Sequence, residues 1–106
     1  MTEREFQAHV VFVARVLGYR VAHFRPAWTE KGWRTPVQGD GKGFPDLVLC
    51  APGRLVFVEL KVGRNKLSLD QTDWLEALRE AGAEVHVWTD KDWHAGVVEA
   101  ELGRAA

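Results

Sequence analysis

Glu59 and Lys61 stand two residues apart in the run Leu55-Val-Phe-Val-Glu-Leu-Lys-Val, in which every other side chain is apolar. In a strand this spacing puts both on one face. A run so apolar implies burial on both faces, and a lone buried carboxylate or ammonium is costly unless it finds a partner or a metal. Asp46, directly after Pro45, opens the preceding apolar run Asp46-Leu-Val-Leu-Cys. Pairing of the two runs as a hairpin would bring its carboxylate beside that of Glu59. Converging carboxylates repel, and a divalent cation between them relieves the repulsion. Mg²⁺ suits this arrangement, because it takes one or two carboxylates and keeps several waters; Mn²⁺ is the alternative. Such a site fits phosphodiester hydrolysis, with the cation activating water and neutralising the phosphate. Lys61 would position that water, or as its neutral amine deprotonate it, and stabilise the developing negative charge. The spacing alone is equally compatible with an ion pair between Glu59 and Lys61 at a sheet edge, with Asp46 capping a turn.

The elements that must position these residues are readable from periodicity. Glu3 to Leu17 repeats Phe6, Val10, Val13 and Leu17 at helical spacing, with Thr2 as N-cap, Glu5 completing a capping box and Gly18 as terminator. Residues 19–25 alternate as a short strand. Pro26 to Pro45 is rich in proline and glycine and reads as a loop of about twenty residues, a length that is usually functional. Its tryptophans, Trp28 and Trp33, either pack on the core or stack on a base or a partner subunit. Ala51-Pro-Gly-Arg is the turn of the expected hairpin. Ser68 caps a second helix with Gln71 at its third position; Trp74, Leu75 and Leu78 form its apolar face and Gly82 ends it. Glu84 to Thr89 is a further core strand, Asp90 to Trp93 a turn or short helix, and Val97 to Leu102 a terminal helix. The order predicts one α/β domain over residues 1–106, with a mixed sheet flanked by helices.

Composition narrows the class. The chain has 106 residues, 46% hydrophobic and 27% charged, which is the balance of an ordinary globular domain. No run of about 18 apolar residues occurs, so no membrane span is expected. The start shows no signal-peptide pattern. The single cysteine, Cys50, cannot form an internal disulfide or by itself a metal site, and its apolar neighbours suggest a buried thiol. The expected location is the cytoplasm, that of the host if the chain is phage-encoded. A net charge of −1 conceals a split. Residues 20–66 hold nine Lys/Arg against four Asp/Glu, and residues 67–106 three against nine. Such asymmetry can give one face a phosphate-attracting field, although clustering in sequence need not survive folding.

The stretch Gly43-Phe44-Pro45-Asp46-Leu47-Val48-Leu49 followed by Val58-Glu59-Leu60-Lys61 resembles the signature of the PD-(D/E)xK nuclease superfamily. Its continuation, Lys66-Leu67-Ser68-Leu69-Asp70-Gln71-Thr72-Asp73-Trp74-Leu75 and then Ala81-Gly82-Ala83-Glu84-Val85-His86-Val87-Trp88, is similar to the VRR-NUC branch, the virus-type replication and repair nucleases. A bare Pro-Asp and Glu-x-Lys is a weak signal; with the downstream helix and strand attached it is strong, and the likeness runs from about Glu3 to Trp93. The resemblance implies a restriction-endonuclease-like sheet, with Asp46, Glu59 and the carbonyl of Leu60 as metal ligands and Lys61 as the catalytic lysine. It also implies a catalytic or supporting role for Gln71, for which a capping box with Ser68 is the plain alternative. Glu3 matches a first-helix glutamate that approaches the metal in related Holliday-junction resolvases, with Glu5 as its rival and surface solvation as the alternative for both. His23 and Arg25 are candidate phosphate contacts, against the commoner fate of a core histidine. Arg34, Lys42, Arg64 and Lys66, with Lys31, are loop cations within reach of the motif and suited to phosphate. No role falls to His86 or His94.

The resemblance further implies a DNA substrate, branched in preference, and a homodimer of the kind that junction resolvases form. The expected enzyme is therefore a Mg²⁺-dependent, structure-specific DNA endonuclease similar to Holliday-junction resolvases. A nicking or flap endonuclease of phage-type replication, and a catalytically inactive DNA-binding protein of the same fold, are the alternatives.

Overall fold

The computed structural model describes residues 1–24, 27–30, 32–34 and 37–104, with the side chains of 27–29, 33 and 34 left out. Its elements run α1 (Glu3–Val16), β1 (Arg20–His23), β2 (Ala27–Thr29), β3 (Gly32–Arg34), β4 (Leu47–Ala51), β5 (Arg54–Lys61), α2 (Leu69–Glu80), β6 (Glu84–Thr89), α3 (Asp90–His94) and α4 (Val97–Gly103). Four strands form one sheet in the order β1-β4-β5-β6. The first three are antiparallel, and β6 joins β5 in parallel through the α2 crossover. This is the mixed, helix-flanked, restriction-endonuclease-like α/β sheet expected from the sequence.

The expected hairpin is β4–β5, closed by a turn in which Gly53 has φ +76°. It pairs Leu47 with Val58 and Leu49 with Val56, so these four share a face. Beside them on that face lies Leu60, which pairs with Trp88. Onto this face α1 lays Phe6, Val10 and Ala14, and α4 lays Val98 and Leu102, giving the buried core. The opposite face carries Phe57, Glu59 and Lys61; Phe44 packs edge-on to Phe57, Gln71 at the start of α2 reaches Glu59, and the rest of α2 lies against β6.

Several details depart from the sequence expectation. In α1 the buried stripe runs through Phe6, Gln7, Val10 and Ala14, while Leu17 is exposed and serves as C-cap. The helix is turned so that its small residue, Ala14, meets the sheet. The stretch after Pro26 holds a short hairpin, β2–β3, rather than irregular chain throughout. β5 is not buried on both faces along its length: Leu55 is half exposed and Phe57 partly covered, and full cover on both faces is confined to residues 58–60. Cys50 is exposed, not buried. Strand alternation turns Leu47 and Leu49 inward and leaves Cys50 on the other face, where its flanking pairs, Arg20 and Leu55, are also exposed. Among the described residues no helix is long and apolar enough to cross a membrane.

Candidate active site

Glu59 is the most deeply buried carboxylate among the described residues, at 1% exposure. Its Oε1 lies 4.0 Å from the Lys61 Nζ and accepts a 3.1 Å hydrogen bond from Gln71 Nε2. Its Oε2 is buried with no hydrogen-bond partner. Asp46 stands just before β4, and its Oδ2 accepts from the Leu60 N–H at 2.9 Å. Burial, then the charge of Asp46, push the Glu59 carboxyl up to about 9, against the opposing pull of Lys61. Two carboxylates and an ammonium thus converge, as the strand spacing predicts, and one buried oxygen is left without a partner. An orphaned oxygen of this kind, beside a second carboxylate, fits a hard cation: the donor set is all oxygen, which suits Mg²⁺ or Mn²⁺ better than a softer metal.

The sequence left Gln71 between helix cap and site residue, and the geometry gives it both positions. Ser68 Oγ accepts from the Gln71 N–H at 3.1 Å, and Gln71 Oε1 accepts from the Ser68 N–H at 2.8 Å. With its oxygen held by the cap, the amide has only its Nε2 to turn outward, and that group donates to Glu59. The capping box therefore fixes the direction of the bond to the carboxylate.

Glu3 and Glu5 also separate. Glu5 is occupied at the helix start, its N–H donating to Thr2 Oγ1 at 3.1 Å and its Oε1 accepting from the Thr2 hydroxyl at 3.2 Å. Glu3 is exposed as a residue, yet its carboxyl is raised by loss of water, then by Asp46, with Lys61 pulling the other way. Its carboxyl is thus within the field of the cluster. The segment before Asp46 is tied down from several sides. Gly43 has φ +84°, and a Cβ there would come within 2.5 Å of the Asp70 backbone, so only glycine lets the loop lie against the start of α2. Phe44 packs edge-on to Trp74, with ring centroids 5.0 Å apart, and Trp74 Nε1 donates to the Asp40 carbonyl at 2.8 Å. The Phe24 N–H donates to the Asp46 carbonyl at 3.0 Å.

The predicted cations are less concentrated. Arg64 and Lys66 are exposed in the loop that follows Lys61. Lys42 is exposed and lies 3.4 Å from the Asp70 carboxylate. His23 is exposed at the end of β1, which removes the core-histidine account. Arg25 and Lys31, and the side chains of Arg34, Trp28 and Trp33, lie outside the described residues.

A second polar cluster was not foreseen. At the opposite end of β5, Arg54 is 8% exposed and donates to both Glu84 oxygens at 3.0 and 2.7 Å, to Tyr19 Oη at 2.8 Å and to the Glu101 carbonyl at 2.7 Å. His86, to which the sequence assigned no role, lies 2.7 Å from Glu84. Ligand atoms of Glu84, His86 and Glu101 all fall within 4.8 Å of one another, a grouping that could hold a metal. Arg54 and Arg104 already supply it with positive charge, and the bond from Arg54 holds Glu84 down at about 2. The only sequence signal was an arginine at a turn opposite a strand beginning with glutamate.

A family model for the VRR-NUC domain matches residues 3–91, a span that takes in α1, the whole sheet and α2. No curated protein matches the chain.

Proposed function

The chain belongs to the VRR-NUC domain family, a family of nucleases acting on DNA, and on that premise we propose that it is a metal-dependent, structure-specific DNA endonuclease of the Holliday-junction-resolvase kind. The observation that carries this reading is the buried Oε2 of Glu59, left without a hydrogen-bond partner while the other oxygen of the same carboxylate, Oε1, lies 4.0 Å from the Lys61 Nζ. An unmet buried polar atom costs about 1–3 kcal/mol, and a cation held by Glu59 and Asp46 would offset that cost.

In this reading Asp46 and Glu59 would hold the cation, with the Leu60 carbonyl and Glu3 as further ligands by likeness to the family, and Mg²⁺ is the expected ion with Mn²⁺ as substitute. When bound, the ion supplies Lewis acidity towards the phosphate and towards water. Lys61, as its ammonium, orients the attacking water and offsets charge on the phosphate as the new P–O bond forms and the old one breaks, the proton of the water passing to solvent and the leaving oxygen taking one from it. Gln71 holds the Glu59 carboxylate in one rotamer, so that its free oxygen keeps its direction. The bond between the Leu60 N–H and Asp46 does the same for the second carboxylate. His23, Arg64 and Lys66 contact phosphates along the strand, and Lys42 joins them once it gives up Asp70; Arg25 and Arg34 belong to the same set by sequence. A branched substrate and a paired subunit follow from the family likeness to junction resolvases, since two sites are needed to cut two strands.

The test is gel cleavage of labelled four-way junction, flap, linear duplex and single-stranded DNA, with Mg²⁺, Mn²⁺ or EDTA. The expected outcome is paired symmetric nicks in the junction, absent in EDTA. Cutting of flaps or plain duplex instead would retain the active site and discard the junction preference. No metal-dependent cutting by folded protein would overturn the enzymatic reading.

A further inference from the structure

On its outward face α1 presents Phe12 and Val16, which are 69% and 68% exposed, and its C-cap Leu17 beyond them is 47% exposed. Large apolar side chains at this exposure on consecutive turns of one helix form a patch of the kind that marks an interaction surface. Phe12 is a ridge with a hollow on either side. One hollow, about 300 Å³, lies between α1 and β1 and is lined by Gln7, Ala8, Val11, Arg15 and His23. The other, about 280 Å³, lies towards α4 and is bounded by Val13, Val16, Leu17 and Glu99. At the wall of the first, Gln7 is 9% exposed and its Nε2 has no hydrogen-bond partner.

The face is complementary to itself when reversed. For two copies of α1 laid antiparallel about an axis at residue 10, positions equidistant from that residue meet. Phe12 then faces Ala8 of the other copy, large against small, and fits the hollow that Ala8 and Val11 border. Arg15 faces Glu5, opposite in charge, and Val16 lies along the aliphatic stem of Arg4. Each contact occurs twice, as an isologous interface requires. Within one chain Glu5 and Arg15 are about 15 Å apart along the helix, too far to pair, and Arg15 makes no ion pair among the described residues. A foreign partner would have no reason to match this order of charge and size.

We infer that two copies of this chain pair through the outward faces of their α1 helices, antiparallel, with Phe12 seated beside Ala8 and Glu5 opposite Arg15. The inference deepens the paired-subunit part of the function proposed above by naming the surface. Glu3 lies seven residues from the axis, so the two active sites would be about 20 Å apart along the helices.

Sedimentation of the full chain tests the inference without any need for catalysis. Wild type is expected to be a dimer at low micromolar concentration. Phe12→Asp, at a position that contributes nothing to the folded core, weakens association by about 30-fold or more while circular dichroism stays unchanged. Glu5→Arg and Arg15→Glu singly weaken it as well, and the double reversal restores it, because only the trans pairing joins these two residues. Cutting activity need not be present for any of these readings. A wild type that stays monomeric at about 100 µM overturns dimerisation itself. A dimer that survives Phe12→Asp, or a double reversal without rescue, overturns this surface and leaves the nuclease reading untouched.

Discussion

Burial and charge conflict most sharply at Glu59, and the conflict has a thermodynamic sign. Its carboxyl titrates near 4.5 in the unfolded chain and near 9 in the fold, so the folded state binds the extra proton. Its contribution to stability is complete below about 4.5 and is lost as the pH climbs towards 9. Glu59→Gln should therefore raise the melting temperature in metal-free buffer at pH 8 by about 5 °C or more and change it little at pH 4. Equal effects at the two pH values would contradict a strained, ionisable carboxylate. Gln71 allows a paired test. Gln71→Ala removes half a capping box and the bond to Glu59 together, whereas Ser68→Ala weakens the cap and leaves the amide of Gln71 in place. Both should lower stability by about 1 kcal/mol. Cleavage should fall by about tenfold or more only in Gln71→Ala, measured under single-turnover conditions; equal loss in both would make Gln71 a cap alone.

At the scale of the elements, the site is the product of a hairpin, a crossover helix and a loop fastened between them. Gly43 is a point of that fastening where positive φ and close backbone coincide, so Gly43→Ala should destabilise the fold by about 2 kcal/mol or more, read by urea unfolding. The Arg54 network does the same work at the other end of β5. Glu84 is held ionised by Arg54 to about 2, so its share of stability is present above 4.5 and is lost as the pH falls through 2. Wild type should exceed Glu84→Gln by about 2 kcal/mol at pH 6, the margin discounted for partial exposure, and the two should converge towards pH 2. This network was hidden in the sequence because Arg54, Glu84 and Glu101 come from three separate elements, β5, β6 and α4, which only the parallel β5–β6 register and the docking of α4 bring together. The hairpin, the capping box and the Glu59–Lys61 pair were legible because each is a local spacing: two residues along a strand, three along a helix start. Double-sided burial of β5 was overread, since an apolar composition fixes how much of a strand can be buried but not how far its cover extends; Leu55 and Cys50 lie beyond it. In α1, leucine and phenylalanine could not be ranked by period alone, and the helix buried Ala14 and left Phe12 and Leu17 outside.

At the scale of the whole molecule, the described cations of residues 20–66 are spread over β1, the loop before β4, β5 and the loop after Lys61, and the acids of residues 67–106 lie on α2, β6, α3 and α4. Binding of a cation to the folded site stabilises by mass action, about 2.7 kcal/mol at a hundred times the dissociation constant. Mg²⁺ should therefore raise the melting temperature of wild type at pH 7.5, EDTA should reverse the rise, and Asp46→Asn should abolish it. The central claim is that the Asp46, Glu59 and Lys61 cluster performs phosphodiester hydrolysis, and the most direct measurement is the rate of DNA cleavage by Lys61→Ala against wild type in Mg²⁺, with the melting temperature of each recorded. A fall of about 10²–10⁴-fold in a variant that remains folded is the predicted result; undiminished cleavage by folded Lys61→Ala would contradict the account.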